Sequence, residues 1–244
     1  MDRNEFIHAE KLSLQDRFRF SCDGCGKCCR DRGDITLSPY DLVRITGYLE
    51  ITLEEFIDTY CEVFIGESSK IPIIRLRHTA VCVFLMRGKC LIQEAKPSVC
   101  VMYPLGRISL KGENKIKYFL QDTDCGKKDS EVSVADWLRN LGEEHEECAG
   151  LWHELIGSAS EFMRSISQIQ EESRLRLQGV IFGLMYDGYD GGKALAPQLR
   201  KRIDNMKELH QAFATAVETG LVSPGDAGER RNTDGQADDN IRVF

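Results

Sequence analysis

Several signals that would place this chain at once are missing. No apolar run reaches the length that spans a bilayer, and the N-terminus, MDRNEFIHAEKLSLQDRFRF, has no apolar stretch flanked by basic residues. These absences point to a cytoplasmic protein with no membrane partner. An excess of cations is missing too. The formal net charge of the 244 residues is −7, which argues against a general nucleic-acid binder, because displacing counterions from phosphate needs a basic footprint. There is no glycine-rich G-x-G-x-x-G loop and no evident acid/base dyad. His145 opens HEECA rather than H-E-x-x-H, since Ala149 stands where the second histidine would be. No catalytic residue is assigned, whether the chain is an enzyme stays open, and no internal repeat is present.

What the chain has is cysteine: ten residues, four of them in the eight-residue stretch CDGCGKCC from Cys22 to Cys29. In a reducing compartment such thiols are metal ligands or redox groups rather than a disulfide framework. The pattern is C-x2-C-x2-C-C at Cys22, Cys25, Cys28 and Cys29, followed by Cys82, Cys90, Cys100 and Cys125. Eight thiols suffice for two four-ligand sites. Pairs two residues apart let a tight turn present both sulfurs to one metal, and Gly24 and Gly26 relieve the backbone of that turn. The neighbours Cys28 and Cys29 project in different directions, which suits two adjacent metals or a polynuclear cluster better than one tetrahedral ion. Soft thiolates select zinc, copper(I) or iron–sulfur clusters over magnesium or calcium.

Simple cluster motifs do not fit. The bacterial ferredoxin run C-x2-C-x2-C-x3-C-P is matched at three positions and then departed from, because Cys29 comes too early and no proline follows it. The C-x3-C-x2-C triad is also missing. Lys27, Arg30, Arg32, Arg77, Arg87, Lys89 and Arg107 lie close in sequence to the cysteines and are expected to offset thiolate charge. Cys61, beside the apolar stripe of a helix, and the isolated Cys148 read as core thiols. His78, four residues before Cys82, reads as a strand histidine with its needs met locally. Glu143, Glu144, Glu146 and Glu147 read as a solvated helix face.

Organisation follows the same asymmetry. FRFSC alternates as a short strand delivering Cys22 would. Ser38, Pro39 and Asp41 form a capped helix start, and so do Thr52 and Glu55, with Ile51 stapled to Phe56 in a helix reaching as far as Phe64. IPIIRLRH and VCVFLMRGKCLI read as short strands with a turn at Arg87-Gly88, and RISLKGENKIKYFL as a hairpin turning at Gly112, Glu113 and Asn114. From Ser133 onward the period becomes helical. One stripe is Leu151, Leu155, Ala159, Phe162, Ile166 and Ile169. Another is Leu195, Leu199, Ile203, Met206, Leu209, Phe213 and Val217, bracketed by Pro197 and Gly220. RLRLQGVIFGLMY between them reads as a third, more buried helix. The expected fold is α+β: an irregular cysteine-rich metal-binding domain with short strands and helices, followed by an all-α helical region. The expected divisions are an extension at 1–17, the metal-binding domain at 18–130, a helical domain at 131–222 and a disordered tail at 223–244. The C-terminal helices could also dock a protein partner.

CDGCGKCCR, Asp41-Leu42, CVFL from Cys82, Cys90 and Cys100 with Lys96-Pro97 between them, CVMYPLGR and DCGKK at Cys125 together resemble the YkgJ-type cysteine-cluster family. This CxxCxxCC family is described as zinc- or iron-chelating. The resemblance covers residues 18 to 128, departing where Lys96-Pro97 replaces the usual Arg-Pro and where Val101 follows Cys100. It implies the metal ligands Cys22, Cys25, Cys28, Cys29, Cys82, Cys90, Cys100 and Cys125. Arg30, Asp41, Tyr103 and Pro104 would support them from outside. Some relatives are labelled iron–sulfur oxidoreductases, and one branch resembles flagellin lysine N-methylase. The reading is a metal-binding cysteine-cluster protein holding an iron–sulfur cluster with a redox or electron-transfer role. The alternatives are a structural zinc module that mediates protein interaction, and an N-methylase-like enzyme.

Overall fold

The computed structural model describes residues 9–30, 33–110, 116–221 and 241–243. The chain divides into two compact units. One comprises Met1–Glu62, Ile74–Glu146 and Asp239–Phe244, the other Val63–Ile73 and Glu147–Asp238.

The first unit is made of short pieces. β1 (Arg17–Ser21) leads into the cysteine loop. Helix α1 (Pro39–Leu49) and helix α2 (Leu53–Tyr60) each begin at a complete capping box, Ser38 with Asp41 and Thr52 with Glu55, as the sequence predicts. The second helix stops at Tyr60, four residues short of the expected Phe64. Cys61 opens strand β2 (Cys61–Ile65), because Val63, Phe64 and Ile65 are β-branched or aromatic and pair with β3 (Pro72–Leu76). β4 (Leu85–Met86) and β5 (Lys89–Cys90) close the smallest hairpin. Its two turn residues, Arg87 and Gly88, take φ of 49° and 78°, the left-handed pair that a two-residue turn with the strands' own twist requires.

Helix α3 (Ser98–Met102) carries Cys100. β6 (Leu105–Leu110) and β7 (Ile116–Leu120) form the predicted hairpin, whose expected turn at Gly112, Glu113 and Asn114 lies outside the described residues. β8 (Lys127–Ser133) pairs antiparallel with β1, with Arg17 opposite Ser133 and Ser21 opposite Lys127. Helix α4 (Val134–Leu138) follows, capped by Ser133.

Two apolar centres hold these pieces. Leu12, Phe18, Phe20, Met102, Leu105, Tyr118, Val134, Leu138 and Leu141 form one. Trp137 stands edge-on to Phe18 at 5.6 Å and to Phe20 at 5.5 Å, and its indole N–H donates to the Met102 carbonyl at 3.0 Å. In the other, Phe56 and Tyr60 pack on Phe84, with ring centroids 6.3 and 4.8 Å apart.

The second unit holds the rest of helix α5 (His145–Ser165) with helices α6 (Glu171–Tyr186) and α7 (Leu195–Glu218). Leu155, Ala159, Phe162, Leu199, Ile203 and Met206 are buried, as their period predicts. Past Met206 the stripe runs outward, and Val217 is exposed. Helix α6 differs from expectation: Ile181, Met185 and Tyr186 are buried but Leu175 and Val180 are exposed. Its apolar residues lie on all sides, and a single packed face cannot cover them. Residues 241–243 form strand β9 (Ile241–Val243) along β6; the rest of the expected 223–244 tail lies outside the described residues. The fold is α+β, and no helix among the described residues is long and apolar enough to cross a membrane.

Candidate metal centre

The cysteine loop starts where β1 ends. Gly24 and Gly26 take φ of 65° and 67°, conformations that cost an L-residue 1 kcal/mol or so, and they reverse the chain so that Lys27–Cys29 form a single 3₁₀ turn. The Gly24 N–H donates to Cys22 Sγ at 3.4 Å, and the Cys29 N–H to the Gly26 carbonyl at 3.1 Å. The loop is then strapped down from outside. The Cys82 N–H donates to the Cys29 carbonyl at 2.7 Å, and a His78 ring nitrogen lies 2.9 Å from the Arg30 carbonyl. The Arg30 guanidinium donates back to the Cys25 carbonyl at 3.1 Å. His78 thus finds its partner in the backbone of the loop.

Cys82, just ahead of β4, and Cys90, on β5, reach the same place, and helix α3 brings Cys100. One oxygen of the buried Asp41 carboxylate accepts from Ser38 N–H at 3.0 Å and Ser38 Oγ at 2.6 Å, while the other accepts from Ser98 N–H and Ser98 Oγ, both at 2.6 Å. One carboxylate therefore caps α1 and anchors the first turn of α3, two residues from Cys100. Arg44 adds bonds to the carbonyls of Glu94 and Lys96, each at 3.3 Å.

These elements enclose a cavity of about 30 Å³. Cys28, Cys29, Cys82, Cys90 and Cys100 line it, with Lys96 and Tyr103 among them. Ile35, Leu76, Phe84 and Ile92 complete the wall and make it apolar. Five of the eight candidate ligands are thus brought to one space. The other three do not line it. Cys22 and Cys25 are exposed. Cys125, half-buried, is tied to Tyr103 and Thr123. The β1–β8 register of Ser21 opposite Lys127 sets Cys22 and Cys125 at the same end of that pair. Gly126, at φ 71°, is demanded there, since a Cβ would stand 2.3 Å from the Phe20 ring and 2.7 Å from the Ser21 carbonyl.

The thiols act on one another. Cys28 hydrogen-bonds to Cys29, which with burial holds the Cys28 thiol well above its ordinary value. The same bond lowers Cys29, against burial and the neighbouring Cys100, Cys82 and Cys90. Burial raises Cys82 and Cys90. Cys28, Cys82 and Cys90 are therefore held toward the protonated form until a cation takes the proton's place. Lys96 lines the cavity and provides opposing charge, lowering Cys28 and Cys90. Sequence reading overlooked this lysine, because its place beside Pro97 drew notice only as a motif position. Of the cations expected in that role, Lys27 pairs with Asp124, Arg77 with the carbonyls of Cys61 and Thr59, and Arg107 faces His145. Arg32 lies outside the described residues.

The site suits a thiophilic metal on the chemistry of its donors: soft sulfur within apolar walls. Among the described residues, no three of His, Cys, Asp and Glu are already closed into a metal-holding arrangement, so the thiols surround the cavity without converging on one point. Cys61 and Cys148 are buried and do not line it, and burial pushes Cys61 up to about 12. The expected solvated face holds for Glu143 and Glu147, which are exposed, but not for Glu146. His145 is buried, and Tyr118 donates its hydroxyl proton to Glu146. Burial, and then Arg107, lowers His145 to about 4.

The family model of CxxCxxCC, described as "Putative zinc- or iron-chelating domain", matches residues 21–126. That stretch is a cysteine-rich metal-binding domain. Uncharacterized protein MJ0661 of Methanocaldococcus jannaschii is 30% identical over 87 residues, which are 35% of this chain and 44% of that protein. The match thus spans less than half the relative's length. No solved structure matches the chain.

Proposed function

We propose that this protein holds iron as an iron–sulfur cluster on the cysteine domain and uses it in redox chemistry or electron transfer. The observation that carries this reading is the lining of one cavity by five thiols, more than the four that complete a tetrahedral zinc site. Such a cluster supplies a one-electron couple when bound. The chain's own residues hold the sulfurs, keep water away through Ile35, Leu76, Phe84 and Ile92, and offset negative charge through Lys96. We assign the ligands to Cys22, Cys25, Cys28, Cys29, Cys82, Cys90, Cys100 and Cys125, of which Cys22, Cys25 and Cys125 must move inward or serve a second metal.

A second reading, structural zinc, is favoured by one observation: the cavity is small, about 30 Å³, and a single ion held by four of its five thiols needs no more room. Iron and acid-labile sulfide, determined on anaerobically purified protein with an optical spectrum of the same sample, separate the two. Matching iron and sulfide with visible charge-transfer absorption is the expected result. Stoichiometric zinc without sulfide would replace the first reading by the second.

A further inference from the structure

Three side chains beside the cavity form a closed hydrogen-bonded group. Tyr103 Oη is 2.5 Å from Thr123 Oγ1, the Thr123 hydroxyl donates to Cys125 Sγ at 3.2 Å, and the Cys125 N–H donates to Thr123 Oγ1 at 3.2 Å. The Cys125 thiol also reaches Tyr103 Oη, at 3.7 Å. Tyr103 itself lines the cavity with Cys28, Cys29, Cys82, Cys90 and Cys100.

Counting protons fixes the direction of these bonds once Cys125 binds a metal. A metal-bound cysteine has no S–H to donate, so any hydrogen bond between its sulfur and these hydroxyls needs a hydroxyl proton turned toward the sulfur. Two hydroxyl protons are available, and two arrangements use them. In one, Tyr103 donates to Thr123 and Thr123 to the sulfur, over 2.5 and 3.2 Å. In the other, Thr123 donates to Tyr103, and the sulfur receives only the tyrosine proton, over 3.7 Å. A hydroxyl has one proton and two lone pairs. In the first arrangement the lone pairs of Thr123 are filled by the Cys125 N–H and by Tyr103, leaving its proton for the sulfur. Every group is then satisfied over the shorter distances.

We propose that Thr123 is a positioning residue that donates a hydrogen bond to the Cys125 sulfur, with Tyr103 orienting and polarising that donor from the cavity wall. The inference rests on the reading of Cys125 as a ligand. A donor on a ligand sulfur withdraws electron density from the metal and favours its more reduced state, so the pair tunes the centre without touching the metal. Sequence alone gave Tyr103 a supporting place and Thr123 none.

The test is the sulfur-to-metal charge-transfer band of the full-length protein loaded with cobalt(II), which reports the energy of the sulfur lone pairs whichever metal is native. Thr123→Val keeps the shape and removes the donor. Its band moves to longer wavelength, Thr123→Ser restores the wild-type position, and Tyr103→Phe gives a smaller shift in the same direction. An unshifted band in Thr123→Val at wild-type cobalt stoichiometry overturns the proposal. Should Thr123→Val take up no cobalt, Tyr103→Phe decides it, and an unshifted band there overturns it equally. Cys125→Ala separates the two levels. If that variant keeps the wild-type band and stoichiometry, Cys125 is no ligand, and the ligand assignment fails beneath the inference.

Discussion

The two units of this chain are built on opposite economies of structure. In the helical unit, long elements with an apolar stripe bury Leu155, Phe162, Leu199 and Met206, and packing alone explains their order. Among the described residues of the cysteine unit no helix exceeds the eleven residues of α1 apart from the start of α5, and most strands are five residues or fewer. Pieces that short do not hold themselves. They are joined by caps, by straps such as His78 on the Arg30 carbonyl, and by a carboxylate, Asp41, shared between two helix starts. At the point they surround, the chain supplies thiols that repel one another when ionised. A unit of this kind needs something between its sulfurs, and the other does not.

Removing metal should make the largest difference between them. A structural thiolate site contributes roughly 10–16 kcal/mol to folding in zinc-finger peptides. Stripping the protein with a chelator under reducing conditions should therefore abolish amide-exchange protection in β3, β4, β5 and α3 while leaving α5 to α7 protected. Equal loss in both would erase the contrast. Phe162→Ala reverses it. A fully buried phenylalanine costs about 3–5 kcal/mol when truncated, so the helices should melt earlier while metal content per chain stays at the wild-type value.

The next effect is one of pH. His145 titrates near 4 in the folded chain and near 6.5 when unfolded, so the stabilisation is complete above about pH 6.5 and is lost as pH falls from there toward 4, up to a ceiling of about 3 kcal/mol. Acid also releases metal, but from wild type and His145→Gln alike. The difference in their denaturant midpoints should therefore change between pH 7 and 4.5, and a constant difference would remove the histidine from the account. Asp41→Asn should have the smallest effect. It turns one of two accepting oxygens into a donor that faces either the Ser38 or the Ser98 donors, at a cost of about 1–3 kcal/mol. Because Ser98 anchors the Cys100 helix, metal affinity should fall, and the exchange protection of α7 should not.

The same contrast decides what could be read in advance. Local chemistry was legible: both capping boxes, the Arg87-Gly88 turn and the strand that delivers Cys22 follow from neighbouring residues. What the sequence could not show depends on distant pairings. Ser21 meets Lys127 across more than a hundred residues, and that register, not any motif, puts Cys22 and Cys125 at one end of a sheet. Lys96 acts on Cys28 and Cys90 only because α1 pins the segment beside it. Glu146 looked solvated because the period of its helix is polar there, yet Tyr118 from the β6–β7 hairpin meets it, as Arg107 meets the neighbouring His145. Helix α6 misled for the opposite reason: its apolar residues have no preferred side, so composition suggested burial where half the surface is open.

The central claim is that the thiols around this cavity hold a soft metal. X-ray absorption at the edge of the bound metal, on protein purified without oxygen, tests it most directly. A first shell of sulfur alone, at about 2.3 Å, is the predicted result. A shell dominated by nitrogen or oxygen would contradict it.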